Sequence, residues 1–347
     1  MTSIVQRTAA QRILVGPLAE LLDESAPAGP VLVVGSRRSV GLADWAALGQ
    51  RVEVFDGAAA HNPASVVAAA AERARSLAAA TVVAVGGAAA IDLGKAVADR
   101  SPAASVAVPT TLGGSEMSRV YGSRHPDGVK RGGGGAKLLP GTVCYDPSLL
   151  ASLPTDVLLA SGVNALAHAV EAHYARRPHW IGTACAAQAG RDLPGLLRRA
   201  AAERTGEVHA RLFESACLAG FALNTRGMGL HHAICHVLGG LTGVSHAALN
   251  LAVLPAAVAT NARLAPGAVS ETLAALGLAD LDGTLQELAS AAGVPSTLRD
   301  LGLRRADLDA ALPQVMAAHH LANNPRPPDE ADVAATLAAA YDGAGAP

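Results

Sequence analysis

Short apolar runs punctuate the first half of the chain. Val31-Leu32-Val33-Val34, Val52-Glu53-Val54-Phe55, Thr81-Val82-Val83-Ala84-Val85 and Ser105-Val106-Ala107-Val108 are rich in β-branched residues, and most of their positions are apolar without alternation. A strand that is apolar on both faces must be covered on both faces, so these runs predict a parallel sheet with helices on either side. Asn62-Pro63 opens an Ala-rich stretch that continues to about Leu77. Asn at a cap and Pro at the first helical position mark a helix start. Strand, helix, strand, helix at this spacing predicts a doubly wound α/β domain.

After Asp146-Pro147 the strand-like runs stop, and helical periodicity rich in Ala, Leu and His continues to the end, broken at Pro178, Pro194, Gly227-Gly229, Pro255, Pro266, Pro295 and Pro325. The expected organisation is an α/β domain over residues 1–153 and an all-helical domain over 154–347. Gly132-Gly133-Gly134-Gly135 reads as a mobile loop of the first domain, because strand-like Thr142–Tyr145 follows it.

Composition narrows the function classes. The chain has 347 residues, which suits about two domains. It is 50% hydrophobic but 3% aromatic, so its core is built from Ala, Val, Leu and Ile. Lys and Arg total 27 against 29 Asp and Glu, which leaves no basic stripe for a nucleic acid. No run of about 20 uninterrupted apolar residues predicts a membrane span. The start of the chain lacks the charged and apolar segments of a secretory signal. Four scattered cysteines without a C-x-x-C pair read as free thiols of a reducing compartment. The expectation is a cytoplasmic enzyme acting on a small-molecule or peptide substrate.

Two loops carry candidate chemistry. The run ending at Val85 passes into Gly86-Gly87-Ala88-Ala89-Ala90, where small residues let backbone N–H groups approach a ligand at a helix N-terminus, a ready anion site. Val108-Pro109-Thr110-Thr111-Leu112-Gly113-Gly114-Ser115-Glu116 supplies a second loop of hydroxyls and glycines. Two such loops at strand carboxyl ends form the crevice in which open α/β sheets bind nucleotides.

Gly86-Gly87 leading to Asp92 and Lys95, Pro109-Thr110-Thr111, and Gly114-Ser115-Glu116-Met117 resemble the dinucleotide loops of the iron-containing alcohol dehydrogenase superfamily. The resemblance covers nearly the whole chain. It is closest to the maleylacetate reductase branch through Asp146-Pro147, Ser161–His168, Gly229–Gly240 and Asn324-Pro325-Arg326-Pro327. It implies a Rossmann-like first domain, a helical second domain of the dehydroquinate synthase-like type, a homodimer, and a cofactor held between the domains. By the same resemblance Gly86, Gly87, Asp92, Thr110, Thr111 and Ser115 serve the pyrophosphate and ribose of NADPH or NADH, with Lys130 near the ribose or nicotinamide. Where NAD-preferring relatives carry an acid after the first strand, this chain has Ser36 followed by Arg37 and Arg38. These offer a 2′-phosphate guanidinium groups without repulsion, or are simply exposed.

Most of the twelve histidines fall in the second half. Asn164 and His168 are four apart, as are His232 and His236, so each pair shares a helix face. His246 follows. A lone histidine on an apolar helix is usually structural, whereas this set suits ligation or proton transfer. The resemblance places a metal-ligand set of Asp, His, His and His on Asn164, His168, His232 and His246. Asn164 removes its only anion, which disfavours iron or zinc although three imidazoles remain. Without a metal, His168, His232 and His236 donate to a developing oxyanion or supply a proton. His246 and Asn164 then line the substrate site together with Arg226, a cation for a carboxylate or an ordinary surface arginine. His125, His179, His209, His319 and His320 read as surface or structural.

Three places in the chain depart from the branch. Ala233 stands where relatives have Lys, Ala256 where they have His, and His246-Ala247-Ala248-Leu249-Asn250 where they have His-Ala-Glu-Thr-His. The expected function is an NAD(P)H-dependent oxidoreductase resembling maleylacetate reductase. The alternatives are a tailoring dehydrogenase, for example one that oxidises a β-hydroxy acid or the C-terminal Thr of a ribosomal peptide with decarboxylation, and a non-catalytic binding subunit.

Overall fold

A computed structural model describes residues 4–7, 11–25, 29–48, 51–124 and 130–343. Its strands are β1 (Ile4–Arg7), β2 (Arg12–Val15), β3 (Val31–Gly35), β4 (Val52–Phe55), β5 (Thr81–Gly86), β6 (Ala104–Pro109), β7 (Val120–Arg124), β8 (Lys130–Gly134) and β9 (Thr142–Tyr145). The helices of the first half are α1 (Leu18–Ser25), α2 (Arg37–Val40), α3 (Ala64–Leu77) and α4 (Ala88–Asp99). In the second half they are α5 (Thr155–Tyr174), α6 (Trp180–Ala202), α7 (Gly206–Arg226), α8 (Leu230–Thr242), α9 (His246–Leu264), α10 (Pro266–Leu276), α11 (Leu281–Ala292), α12 (Arg305–Met316) and α13 (Glu330–Asp342). Two units result: Met1–Leu153 with Thr205–Phe213, and Pro154–Arg204 with Glu214–Pro347.

The first unit is a seven-stranded sheet in the order β1-β2-β9-β6-β5-β3-β4. Only β1 runs antiparallel, along β2; the other neighbours are parallel. Every position of β3 and β5 is buried, as expected of strands covered on both faces. Val31, Val33, Val83, Val85, Val106 and Val108 pack with Leu14, Leu18 and Leu21 on one side. Each fully buried Val or Leu contributes about 1.5–3 kcal/mol. β4 lies on one side of β3 and β5 on the other, so the strand order switches direction at the carboxyl ends of β3 and β5. Ligands of open α/β sheets bind at such a point.

Two local readings are corrected. The helix expected from Pro63 starts at Ala64, with Pro63 as its cap, because Asn62 is buried and its amide donates to the Ala89 carbonyl over 2.6 Å. The glycine run is not a free loop: Gly132, Gly133 and Gly134 lie in β8, paired antiparallel with β7. Glycine is required there because a Cβ on Gly132 would collide with the Tyr121 carbonyl, and one on Gly133 would lie 2.7 Å from the Tyr121 ring.

The second unit is helical. α5 is buried along almost its whole length and packs against α6, α9 and α11. A separate apolar core joins α8, α9, α12 and α13 through Leu230, Ile234, Leu238, Val253, Val315, Val333 and Leu337. Among the described residues α9 is the helix long and apolar enough to cross a membrane, but 67% of that stretch is buried within the fold.

In the first unit, α4 crosses β5 closely at Gly94, where a Cβ would sit 2.5 Å from that of Ala84. Overpacking of this kind costs about 1–3 kcal/mol, against about 1 kcal/mol gained in helix propensity. Gly94→Ala is therefore expected to lower the urea midpoint by an amount equivalent to up to ~2 kcal/mol without changing the slope of the transition. An unchanged midpoint would mean that helix and strand separate freely at this crossing.

Candidate active site

The loops after β3, β5 and β6 meet at the switch point of the first unit. Gly86 closes β5 at φ 142°, a conformation that favours glycine, and Gly87 precedes α4 without any side-chain cap. The N-terminal N–H groups of α4 thus have no side-chain acceptor, as an anion site needs. A Cβ on Gly87 would stand 3.2 Å from Thr111 Oγ1, so the two glycine-bearing loops abut.

Beneath them lies a polar web. Lys95, with no exposed side-chain surface, donates to Ser115 Oγ and Ser118 Oγ, both over 2.9 Å, and to the Val120 carbonyl over 2.8 Å. Ser115 donates to the Asp92 carboxylate. Burial pushes the lysine pKa down while Asp92 pulls it up. Asp92 and Ser115 are therefore engaged in shaping the second loop. Glu116 is also buried, which raises its pKa, and accepts from Tyr145 Oη over 2.8 Å.

At the end of β3, Ser36 Oγ accepts from Ser39 N and caps α2. Arg38 donates to the Ser152 carbonyl over 2.5 Å, which leaves Arg37 exposed and only loosely paired, 3.4 Å from Asp56. The side chain of Lys130 and the whole of His125 lie outside the described residues.

The second unit gathers the histidines around a residue that the spacing argument did not single out. Glu171 on α5 is fully buried. Its oxygens accept from Gly229 N over 3.1 Å and His231 N over 2.8 Å at the start of α8, and Oε2 lies 2.6 Å from His232 Nδ1. The sequence signal was available, since Asn164, His168 and Glu171 lie at i, i+4 and i+7 on one face of α5.

His232 stacks on His168 with ring centroids 4.9 Å apart, and lies 5.7 Å from His246 and 5.9 Å from His236. His236 and His246 are 5.3 Å apart. Burial pushes His168 down to about 3 and His232 well below its ordinary value, so both rings are neutral near pH 7. His168 Nδ1 and His232 Nε2 are buried without a hydrogen-bond partner.

Other placements depart from expectation. His320, read as surface or structural, joins the cluster 5.6 Å from His236, and burial brings its pKa down to about 4. Its neighbour His319 is exposed, whereas His209 is buried. Arg226 is not a surface arginine. It is 9% exposed, and its guanidinium donates to the carbonyls of Ala172, His173 and Ala175, capping the end of α5. Ala233 and Ala256 belong to the apolar core.

Asn164 Oδ1 accepts from Asn250 Nδ2 over 2.7 Å and brings no negative charge, so a divalent metal would be held by His168, His232 and His246 without an anionic ligand. His168 Nδ1 and His232 Nε2 are the buried nitrogens there without a partner. The trio Glu171, His231 and His232 is close enough to hold an ion, but its ligand atoms are already joined by hydrogen bonds.

The fold and loops are those of a nucleotide-dependent oxidoreductase, and comparison defines the class. The chain belongs to the iron-containing alcohol dehydrogenase family: residues 10–147 match "Iron-containing alcohol dehydrogenase", and residues 158–341 match "Fe-containing alcohol dehydrogenase family, C-terminal". It is an NAD(P)-dependent oxidoreductase near the maleylacetate reductase branch. It is 37% identical over 297 residues to the maleylacetate reductase of Pseudomonas knackmussii, covering 85% of this chain and 84% of that one. It is 37% identical over 336 residues to that of Sphingobium indicum, covering 94% of both. The crystal structure of maleylacetate reductase from Agrobacterium tumefaciens is similar with a TM-score of 0.85 at 32% identity, over 99% of each chain.

The reassignment of Arg226 is testable. Hydrogen bonds from a charged donor are worth about 1.5–3 kcal/mol each, less when the carbonyls regain water. Arg226→Ala should lower stability by ~2–4 kcal/mol by denaturant unfolding while leaving the substrate KM of the folded fraction within about twofold. A large rise in KM at unchanged stability would return Arg226 to the substrate site.

Proposed function

We propose that the chain reduces maleylacetate, or a closely related unsaturated keto acid, with NADPH or NADH and without a metal. The observation that carries the reading is the cluster of imidazoles formed by His168, His232, His236 and His246, which suits proton transfer. The nucleotide loops and the identity to maleylacetate reductases support it. The first unit holds the nucleotide, with its pyrophosphate at Gly86, Gly87 and the uncapped start of α4, and Thr110 and Thr111 on the neighbouring loop. A nicotinamide bound there would supply the hydride for one carbon of the activated C=C bond, whose π electrons would move toward the ketone oxygen. A histidine of the second unit gives a proton to the adjacent carbon, and 3-oxoadipate results. The family resemblance supports a homodimer and a cytoplasmic location.

A second reading has one observation in its favour. Ala233 and Ala256, where the family resemblance leads one to expect polar side chains, are enclosed in the apolar core and offer nothing to a dicarboxylate. A β-hydroxy acid, or a peptide with a C-terminal Thr, asks less of those positions. Its oxidation by NADP+ would give a β-keto acid that loses CO₂.

Purified protein treated with chelator should oxidise NADPH on addition of maleylacetate. No turnover, together with reduction of NADP+ by a hydroxy-acid peptide, would favour the second reading. His236→Ala should lower kcat at least ~100-fold with a cofactor Kd within about twofold of wild type; equal loss in both would contradict a role in chemistry.

Arg37, exposed and only loosely paired with Asp56 at the end of β3, is the guanidinium we assign to a 2′-phosphate. Arg37→Glu should raise KM for NADPH ~10-fold or more and leave KM for NADH nearly unchanged. Parallel changes for both cofactors would show that Arg37 takes no part in the choice.

A further inference from the structure

We propose that Asp56, just past the carboxyl end of β4, is a specificity-determining residue for the cofactor. Its carboxylate holds the Arg37 guanidinium and stands as a like charge beside any 2′-phosphate, so it shifts the choice from NADPH toward NADH. The proposal rests on the reading of the first unit as the one that holds the nucleotide.

The backbone sets the place of this carboxylate. β3 and β4 run parallel with Val34 opposite Phe55, so Gly35-Ser36-Arg37 and Asp56-Gly57-Ala58 leave the sheet side by side. Two further contacts keep them together. Ser36 and Gly57 form an antiparallel bridge, and Ala58 N donates to the Gly35 carbonyl over 2.9 Å. Asp56 lies between the paired strand and this bridge, in a turn so tight that a Cβ on Gly57 would stand 2.7 Å from the Phe55 ring. It therefore stays at the end of β3 whether or not its side chain has a partner.

The charges at this edge are few. Arg37 Nε donates to Asp56 Oδ2 over 3.4 Å, which is long for an ion pair, and both side chains are exposed. Arg38, the other cation after β3, is engaged by the Ser152 carbonyl. One guanidinium thus faces one carboxylate, and the pair is nearly neutral to an approaching ligand. An exposed pair of this geometry is weak, so a 2′-phosphate can draw Arg37 away. The carboxylate then remains beside the phosphate as a like charge. A ribose 2′-hydroxyl meets no such penalty, because it is uncharged and can donate to a carboxylate. The same carboxylate consequently discriminates between the two dinucleotides through the one group in which they differ.

The experiment is a fluorescence titration of NADPH and of NADH into wild type and Asp56→Asn, with no substrate present. D56N should tighten the NADPH Kd ~3–10-fold and leave the NADH Kd within about twofold. The gain should shrink in about 0.5 M salt, which screens exposed charges. In an Arg37→Gln background the same substitution should gain less than about half as much, since no guanidinium is left to release. An unmoved ratio of the two affinities overturns the proposal, as does weaker NADPH binding, an equal gain for both nucleotides, or an equal gain with and without Arg37. Asp56→Ser should reproduce the shift and decides the matter if D56N does not fold. Wild type that binds neither nucleotide overturns the nucleotide reading of the first unit together with this proposal. Binding by wild type with a ratio that D56N leaves unmoved overturns the role of Asp56 alone.

Discussion

A carboxylate with no contact with water must be surrounded by donors, and the helical unit is arranged to supply them to Glu171. The N–H groups that meet it open α8, where a helix has unpaired donors and a positive dipole end, so charge and position stabilise each other. Asn324 completes the junction by accepting from Leu230 N and exchanging hydrogen bonds with Asn261 on α9. The start of α8 is thereby tied to α5, α9 and the segment before α13. His232 inherits this rigidity. Its ring is oriented by a network that includes no substrate.

Much of the first unit was legible in the chain because burial on both faces leaves a local trace. β3, β5, β6 and β9 are short apolar runs, and the glycines after β5 announce a tight turn. β8 carried no such trace. A glycine run has no strand propensity, and it pairs only because β7 presents Tyr121, against which nothing larger fits. In the helical unit, i,i+4 histidines declare a shared face. His320 could not be read in this way, because it reaches the cluster from a short turn far along the chain. Arg226 looked available beside its glycines, whereas its acceptors are carbonyls at the end of another helix, which no spacing rule reports.

The contrast between the two halves of the chemistry is physical. The loops under the expected nucleotide are braced by Lys95, Asp92 and Ser115, a web in which loss of any member strands a buried polar group. In the second unit Asn164 and Asn250 are hydrogen-bonded to one another as amides, while Ala233 and Ala256 are absorbed into packing. A frame this tightly bonded tolerates little change, whereas a paired amide and small apolar residues can be exchanged at modest cost. Divergence of substrate at constant cofactor is the pattern such an arrangement permits.

Lys95 has one further consequence. The chain contains only three lysines, at 95, 130 and 137, and Lys95 is sealed inside its web. The stretch from 154 onward has none, so a lysine-directed protease finds no cleavage point there and amine-reactive labels pass it by. Any side-chain cation those helices offer an anion is a guanidinium or an imidazolium, planar and delocalised, rather than a mobile ammonium.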